Sequence, residues 1–160
     1  MSVVDEIRTA NDHYASAFAK GQLPMPPARR FAVVTCMDAR IDPAKSLGLE
    51  EGDAHVIRNA GGVVSDDALR SLVISHHLLG TREALVIGHT DCGMLTFTNQ
   101  QLREQLGPEA EAIDFLAFPQ VEERVRESVD AIRESALLPE SFGATGFVYD
   151  VRSGRLQPVT

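Results

Sequence analysis

The stretch FAVVTCMDAR, residues 31–40, runs from a short apolar segment into a thiol, a carboxylate and a guanidinium. Two similar apolar segments follow, AHVI at residues 54–57 and ALVI at residues 84–87. Short segments without polar alternation favour strands that are buried on both faces, as in a parallel sheet covered by helices. The sequence therefore predicts three such strands, with Cys36 where the first one ends.

The segment between the second and third strands predicts a helix over residues 66–79. Ser65 can cap its start, two aspartates in its first turn suit the positive end of the helix dipole, and Gly80 follows its last turn. A strand, a helix and a strand in this order form a βαβ unit. We therefore expect an α/β fold with a mainly parallel central sheet flanked by helices.

The C-terminal half of the chain predicts further elements of the same core. A short helix is expected over residues 99–106, and a more regular one over residues 120–137, where apolar residues recur at helical spacing. Two β-like segments around a Ser-Gly pair, residues 146–159, predict a hairpin or an edge strand.

The N-terminal segment differs from this core. Residues 3–18 predict a helix with Gly21 as its stop, and three prolines then force an extended connector. A helix on such a connector cannot bury its apolar stripe by local folding alone, so it would pack on its own core or on a second subunit. The expected boundaries are a helical arm over 1–22, a connector over 23–30 and an α/β core over 31–160, within one domain, 1–160.

The composition limits the classes of partner. The chain has 160 residues and a formal charge of −8, which argues against a general nucleic-acid or anionic-membrane binder because those partners need a basic face. The N-terminus is polar and acidic, unlike a secretory signal, and every apolar stretch is far shorter than the roughly 20 residues that span a bilayer. We expect a cytoplasmic protein with no nucleic-acid or membrane partner, whose two cysteines are thiols or metal ligands rather than a disulfide.

The second cysteine, Cys92, follows His89 by three residues in the stretch GHTDCGM, residues 88–94. A lone His-x-x-Cys is a weak signal for a metal site, but Cys36 occupies the equivalent place after another strand. Because the carboxyl ends of parallel strands converge on a crevice, the three side chains would meet there. Two thiolates and one imidazole favour zinc, and three protein ligands are typical of catalytic zinc. The alternative is that both cysteines are buried structural thiols.

Two charged residues follow Cys36 at alternate positions. Asp38 can orient a zinc-bound hydroxide, or it can become the fourth ligand and close the site. Arg40 can hold Asp38 in a bidentate pair, which favours the open arrangement, although the two can also form a plain surface ion pair. Asp91, just before the second cysteine, is a rival carboxylate that we interpret as a turn or supporting residue.

Three motifs stand out in order along the chain: CMDAR at residues 36–40, RNAGG at 58–62 and GHTDCGM at 88–94. Together they resemble the motifs of the β-class carbonic anhydrases in order and rough spacing. The resemblance implies a zinc enzyme with a parallel-sheet core and one Zn²⁺ ion per chain. It also implies a homodimer or homotetramer as the working form.

The resemblance assigns roles to individual residues. It implies that Cys36, His89 and Cys92 bind the zinc, and that Asp38 and Arg40 form a catalytic dyad. The implied reaction is the reversible hydration of carbon dioxide to bicarbonate, in which zinc-bound hydroxide attacks the carbon. Short members of the family include hydrolases of carbonyl sulfide or carbon disulfide, so such a hydrolase with the same zinc site is one alternative. A non-catalytic zinc-binding or bicarbonate-binding protein is the other.

The remaining candidates have more than one reading. Gly61 and Gly62 can present backbone N–H groups to an anionic substrate such as bicarbonate, or they can simply form a tight strand-to-helix turn. His55 can face the crevice as a proton shuttle or be a core histidine. His76 and His77 lie on the helix predicted after the second strand, and we interpret them as packing or surface residues.

Overall fold

The computed structural model describes residues 2–159, and its centre is a five-stranded sheet. The strands are β1 Phe31–Cys36, β2 His55–Asn59, β3 Glu83–His89, β4 Gly143–Tyr149 and β5 Leu156–Val159. Their order across the sheet is β2-β1-β3-β4-β5; the first four run parallel and β5 runs antiparallel to β4. The predicted α/β fold with a mainly parallel sheet is confirmed, and the closing segment forms the predicted hairpin at the sheet edge.

Five helices accompany the sheet in the described part of the chain: α1 Val3–Ser16, α2 Pro43–Leu47, α3 Asp66–Leu79, α4 Asn99–Leu106 and α5 Val121–Arg133. Short 3-10 turns lie at Ala60–Gly62, Gly93–Leu95 and Pro108–Ala110. No helix within residues 2–159 combines the length and the apolar character needed to cross a bilayer.

The bounds of α3 and α4 match their predictions, whereas those of α5 do not. The Ser65 side chain accepts a hydrogen bond at the start of α3, and Gly80 adopts a left-handed conformation at its end. Helix α5 ends at Arg133, four residues before the predicted 137. The side chain of Ser135 accepts a hydrogen bond from the backbone N–H of Leu137, which competes with continuation of the helix.

The two strands that carry the predicted site residues are the most deeply buried part of the sheet. All six residues of β1 are buried, and β3 is buried from Val86 onward. Strand β2 is different, because its residues alternate between partly buried and exposed. The prediction that β2 is buried on both faces is therefore wrong: it lies at the edge of the sheet, where Val56 is exposed.

The strand order places a topological switch at β1, since the chain continues to β2 on one side and to β3 on the other. In open α/β sheets the crevice beyond the carboxyl ends of the strands at such a point is where ligands bind. Strands β1 and β3 end there at Cys36 and His89. The fold therefore brings the two predicted ligand-bearing loops side by side.

Helix α1 forms as predicted but ends at Ser16, two residues before the predicted 18, and it has no buried residue. Its apolar stripe is thus not buried on the core of the same chain. The segment is attached through polar contacts instead: Tyr14 Oη donates a hydrogen bond to Glu51 Oε1 at 2.6 Å, and Lys20 Nζ lies 2.5 Å from Glu51 Oε2. Glu51, in the loop before β2, thus receives two polar contacts from this segment.

Candidate metal centre

The three predicted ligands meet at the carboxyl ends of β1 and β3. Cys36 and His89 are the last residues of their strands, and Cys92 follows after a tight turn. Their ligand atoms all lie within 4.8 Å of one another. The side chains are buried, with 5%, 1% and 3% of their surface exposed. A cluster of two thiols and an imidazole in this arrangement can hold a soft or borderline metal ion.

The imidazole of His89 is oriented as a metal ligand would be. Its Nδ1 lies 2.9 Å from the carbonyl oxygen of Thr90, so the ring donates its proton there and keeps a lone pair on Nε2. Nε2 is buried and has no hydrogen-bond partner within residues 2–159. Because buried polar atoms are nearly always satisfied, an unpartnered nitrogen facing two thiols fits a metal ligand.

The two thiols are electrostatically coupled. A hydrogen bond from Cys92, aided by His89, outweighs burial and lowers the pKa of the Cys36 thiol to about 4. The same contact with Cys36, together with burial, raises the pKa of Cys92. Burial lowers the pKa of His89, but the attraction of the neighbouring Cys36 thiolate reverses the net shift to an increase. The pair thus holds one negative charge readily and a second only with a cation present, which is the behaviour of a thiolate metal site.

Asp38 and Arg40 form the bidentate pair that the sequence predicts. Arg40 Nε donates to Asp38 Oδ1 at 3.0 Å and Nη2 donates to Oδ2 at 2.7 Å, while the backbone N–H of Arg40 donates to Oδ1 at 2.9 Å. These contacts hold the pKa of Asp38 well below its usual range. Asp38 Oδ2 lies 3.8 Å from His89 Nε2, at the edge of the ligand cluster. The carboxylate is therefore ionised and close enough either to face a metal-bound ligand or to become one.

Asp91 lies outside the group of clustered ligand atoms and contacts Arg40 instead. Arg40 Nη1 donates to Asp91 Oδ2 at 2.8 Å, and Nη2 donates to the Asp91 carbonyl oxygen at 2.8 Å. The guanidinium lowers the pKa of Asp91, chiefly through the side-chain hydrogen bond. This arrangement agrees with the interpretation of Asp91 as a turn or supporting residue.

Gly61 and Gly62 pack directly against the first ligand. The Gly61 N–H donates to Cys36 Sγ at 3.3 Å. Both glycines have positive φ, 84° and 64°. A Cβ atom on Gly61 would lie 2.8 Å from the Phe118 ring, and one on Gly62 would lie 2.8 Å from the backbone nitrogen of Cys36. The close approach to Cys36 accounts for Gly62, and the packing against Phe118 accounts for Gly61. Their contact with an anionic substrate stays a prediction.

Comparison with known proteins agrees with this geometry. The carbonic anhydrase family pattern matches residues 31–117. Beta-carbonic anhydrase 1 of Mycobacterium bovis is 47% identical, with alignment over 100% of this chain and 99% of the relative. The chain belongs to the β-carbonic anhydrase family.

Two other similar proteins show the breadth of this family. The crystal structure of carbonic anhydrase from Streptococcus mutans superposes with a TM-score of 0.93 at 47% identity, covering 100% of this chain and 99% of that one. Carbon disulfide hydrolase from Acidianus sp. is 36% identical over 95% of this chain and 86% of the relative. β-Carbonic anhydrases are zinc enzymes, and the group of Cys36, His89 and Cys92 can bind one metal ion.

One residue of this β-carbonic anhydrase site was not singled out from the sequence. Arg58 Nε donates to the carbonyl oxygen of Cys36 at 2.9 Å, and Nη2 donates to that of Asp38 at 2.8 Å. Arg58 thereby fixes the backbone between the first ligand and the carboxylate. The sequence feature that could have identified Arg58 is its place at the start of the RNAGG motif. This motif begins near the end of β2, where Arg58 pairs with Thr35 on β1.

The other histidines that the sequence singles out lie elsewhere in the fold of this family member. His55 pairs with Ala32 at the start of β1, at the opposite end of the strand from Cys36, and its Nδ1 lies 2.7 Å from Ser75 Oγ. Its partly buried ring does not face the crevice, which argues against the proton-shuttle alternative. His76 and His77 contact backbone carbonyl oxygens at 2.7 and 2.8 Å, as expected for packing and surface residues.

Proposed function

We propose that this protein is a β-carbonic anhydrase that catalyses the reversible hydration of carbon dioxide to bicarbonate. The observation that carries the proposal is the position of Asp38, held by Arg40 at the edge of the buried Cys36, His89 and Cys92 cluster. The 47% identity with beta-carbonic anhydrase 1 along the full chain supports it. The reaction needs a nucleophile near neutral pH and a group that directs it, and the site offers residues for both tasks.

Cys36 Sγ, His89 Nε2 and Cys92 Sγ are the proposed ligands of one zinc ion. When bound, zinc lowers the pKa of a coordinated water to about 7 and so supplies the nucleophile. Three protein ligands leave a fourth position open for chemistry. The Gly61 N–H supports the ligand set, because it donates a hydrogen bond to the Cys36 sulfur and stabilises its thiolate form.

Asp38 is the proposed orienting group. Its low pKa keeps it ionised and therefore able to accept a hydrogen bond from the nucleophile, which directs a lone pair toward the carbon of the substrate. Arg40 keeps both carboxylate oxygens turned toward itself, and Arg58 fixes the backbone on which Asp38 is mounted. The proton released by the reaction leaves to buffer. His55 lies away from the crevice and therefore does not carry this proton.

A second candidate activity is the hydrolysis of carbon disulfide or carbonyl sulfide at the same zinc site. The observation in its favour is the 36% identity with carbon disulfide hydrolase of Acidianus sp.. Carbon dioxide and these compounds are all linear, electrophilic molecules that water can attack. The higher identity and coverage of the carbonic anhydrase relatives favour carbon dioxide as the substrate.

The proposed working form is a homodimer or a homotetramer in the cytoplasm. Val3 and Ile7 on α1 and Val56 on the edge strand β2 are exposed in the single chain, and a second copy of the chain would cover such apolar groups. Thiolate ligands favour a reducing compartment. The division into an arm, a connector and a core remains part of this proposal. Light scattering of the purified protein tests the assembly, with Ile7→Asp as the variant expected to weaken it.

Stopped-flow measurement tests the activity directly. The zinc-loaded protein is mixed with carbon dioxide in a pH-indicator buffer, and parallel samples with carbonyl sulfide and carbon disulfide are assayed for sulfide release. We expect rapid hydration of carbon dioxide and little release of sulfide. The reverse ranking would make the protein a hydrolase of the sulfur compounds. A protein that retains about one zinc per chain and converts none of the three would be a non-catalytic zinc-binding or bicarbonate-binding protein.

A further inference from the structure

Arg40 connects the two loops that carry the candidate metal ligands. Its Nε and Nη2 atoms donate to Asp38, two residues after Cys36. Nη1 donates to the side chain of Asp91, the residue just before Cys92, and Nη2 also donates to the carbonyl oxygen of Asp91. A guanidinium has five N–H groups in a fixed plane, so two sets of acceptors on two of its edges define its orientation.

The pair with Asp38 and the contacts with Asp91 together form a network around Arg40, whose side chain is only partly covered. The Arg40 side chain is 47% exposed, and exposed ion pairs contribute little unless the geometry is restrained by a network. Asp91 completes that network: its side chain is 67% exposed, but its Oδ2 lies 2.8 Å from Arg40 Nη1 and its carbonyl oxygen accepts from Nη2 at 2.8 Å, so two acceptors of one residue meet the guanidinium. If the guanidinium turned away, Asp38 would lose its bidentate partner. Its Oδ2, 3.8 Å from His89 Nε2, would then be free to move into the ligand cluster.

We propose that Asp91 is a positioning residue that holds Arg40 against Asp38 and so keeps the fourth metal position accessible. The inference rests on the proposed zinc site and adds Asp91 to the charged pair of Asp38 and Arg40 beside it. Asp91 touches neither the substrate nor the metal in this scheme. It acts through Arg40, by favouring the arrangement in which the Asp38 carboxylate stays beside the metal rather than on it.

The competing explanation is that Asp91 is present only for its backbone conformation. Its φ is 55°, a left-handed value that aspartate and asparagine tolerate better than most residues and that glycine adopts without strain. Under that explanation Asp91→Gly is harmless or stabilising. Under the proposal the same variant removes the contact with Arg40 Nη1 while relieving the backbone, so the two explanations predict opposite results.

Azide binding to the cobalt-substituted protein tests the proposal without reference to turnover. Azide needs the fourth metal position, and its binding changes the visible spectrum of Co²⁺. We expect Asp91→Gly to retain one Co²⁺ per chain and to bind azide roughly tenfold more weakly than the wild type, as fits the loss of a charge-assisted hydrogen bond. Asp91→Asn keeps an acceptor oxygen and the backbone preference, so it should fall between the two. Carbon dioxide hydration should decline in the same order.

Arg30 provides a matched control, because it is an exposed residue with the same φ of 55°. Arg30→Gly should leave azide affinity unchanged. Wild-type azide affinity in both Asp91 variants would overturn the proposal, and so would loss of Co²⁺ from both, which would make Asp91 a determinant of metal binding. If the wild-type protein failed to hydrate carbon dioxide while the azide ranking held, the proposed activity would fail and the role of Asp91 would stand.

Discussion

The Cα atom of Gly62 packs against the backbone nitrogen of Cys36, so that a Cβ atom there would lie only 2.8 Å from it. The other atoms it would approach, at 2.9 and 3.0 Å, belong to the backbone of Thr35, and backbone atoms in a buried central strand cannot move aside cheaply. The turn after β2 can therefore approach the first metal ligand only if this position has no side chain.

Replacement of Gly62 by alanine should destabilise the protein and weaken its metal site. A positive φ of 64° adds strain to the steric conflict, and we expect a loss of at least about 2 kcal/mol in the free energy of unfolding. Urea denaturation at a fixed zinc concentration measures it. Gly93→Ala is the control, since nothing lies within 4 Å of the added atom, and it should change stability by less than about 0.5 kcal/mol. Equal effects of both substitutions would contradict the packing argument.

Removal of a ligand should release the metal. For His89→Ala we expect the zinc content to fall from about one ion per chain to near zero, because two coupled thiols without the imidazole leave the coordination set incomplete. Elemental analysis after dialysis against metal-free buffer gives the stoichiometry. His77→Ala, which removes a contact with the Leu137 carbonyl oxygen and an edge contact with the His76 ring, should retain zinc. Full retention of zinc by the His89 variant would remove this histidine from the ligand set.

Neutralising Asp38 should separate metal binding from catalysis. Asp38→Asn keeps the size of the side chain but loses the negative charge that pairs with Arg40, and an NH2 donor replaces one of the two carboxylate oxygens that accept hydrogen bonds. We expect normal zinc content and a fall in kcat/KM for carbon dioxide hydration of at least about 100-fold. Asp42→Asn is a suitable control in the same loop, because asparagine caps a helix as aspartate does at the start of α2. Wild-type activity in the Asp38 variant would refute the role of the carboxylate.

The sequence predicts those parts of the protein that depend on local pattern. Helix α3 carries its own start and stop signals in Ser65 and Gly80, and its bounds match the prediction. The convergence of Cys36 and His89 follows from two buried parallel strands that end beside each other. These inferences need only periodicity, capping and the geometry of parallel sheets.

Features that depend on distant packing could not be predicted in the same way. The edge position of β2 follows from strand order, which a short apolar segment does not encode. Likewise, the contacts of Arg58 with the carbonyl oxygens of Cys36 and Asp38 join residues about 20 positions apart, and those of Arg40 with Asp91 span 51 positions. Long side chains can reach many acceptors, so their partners emerge only when the loops are placed.

The attachment of the N-terminal arm should depend on Glu51 and on pH. Glu51 accepts hydrogen bonds from Lys20 and Tyr14, and these contacts, chiefly that with Lys20, lower its pKa. A carboxyl group whose pKa is lower in the folded state stabilises that state fully above its unfolded pKa, and the contribution is lost as pH falls through the folded value. The attachment should therefore be constant from neutral pH down to about 5 and weaken only in more acidic solution.

Hydrogen exchange of the α1 amides, corrected for the intrinsic effect of pH, measures that attachment. Glu51→Gln should lower protection near Tyr14 at pH 7 and remove the acid-dependent loss, because the charge that binds Lys20 is gone. Glu50→Gln is the matched control: Glu50 lies 3.8 Å from the same lysine but is 85% exposed, so its replacement should have little effect. If the two variants behaved alike, or if the acid-dependent loss persisted in Glu51→Gln, a surface other than Glu51 would be holding the arm, and a second copy of the chain would be the first to examine.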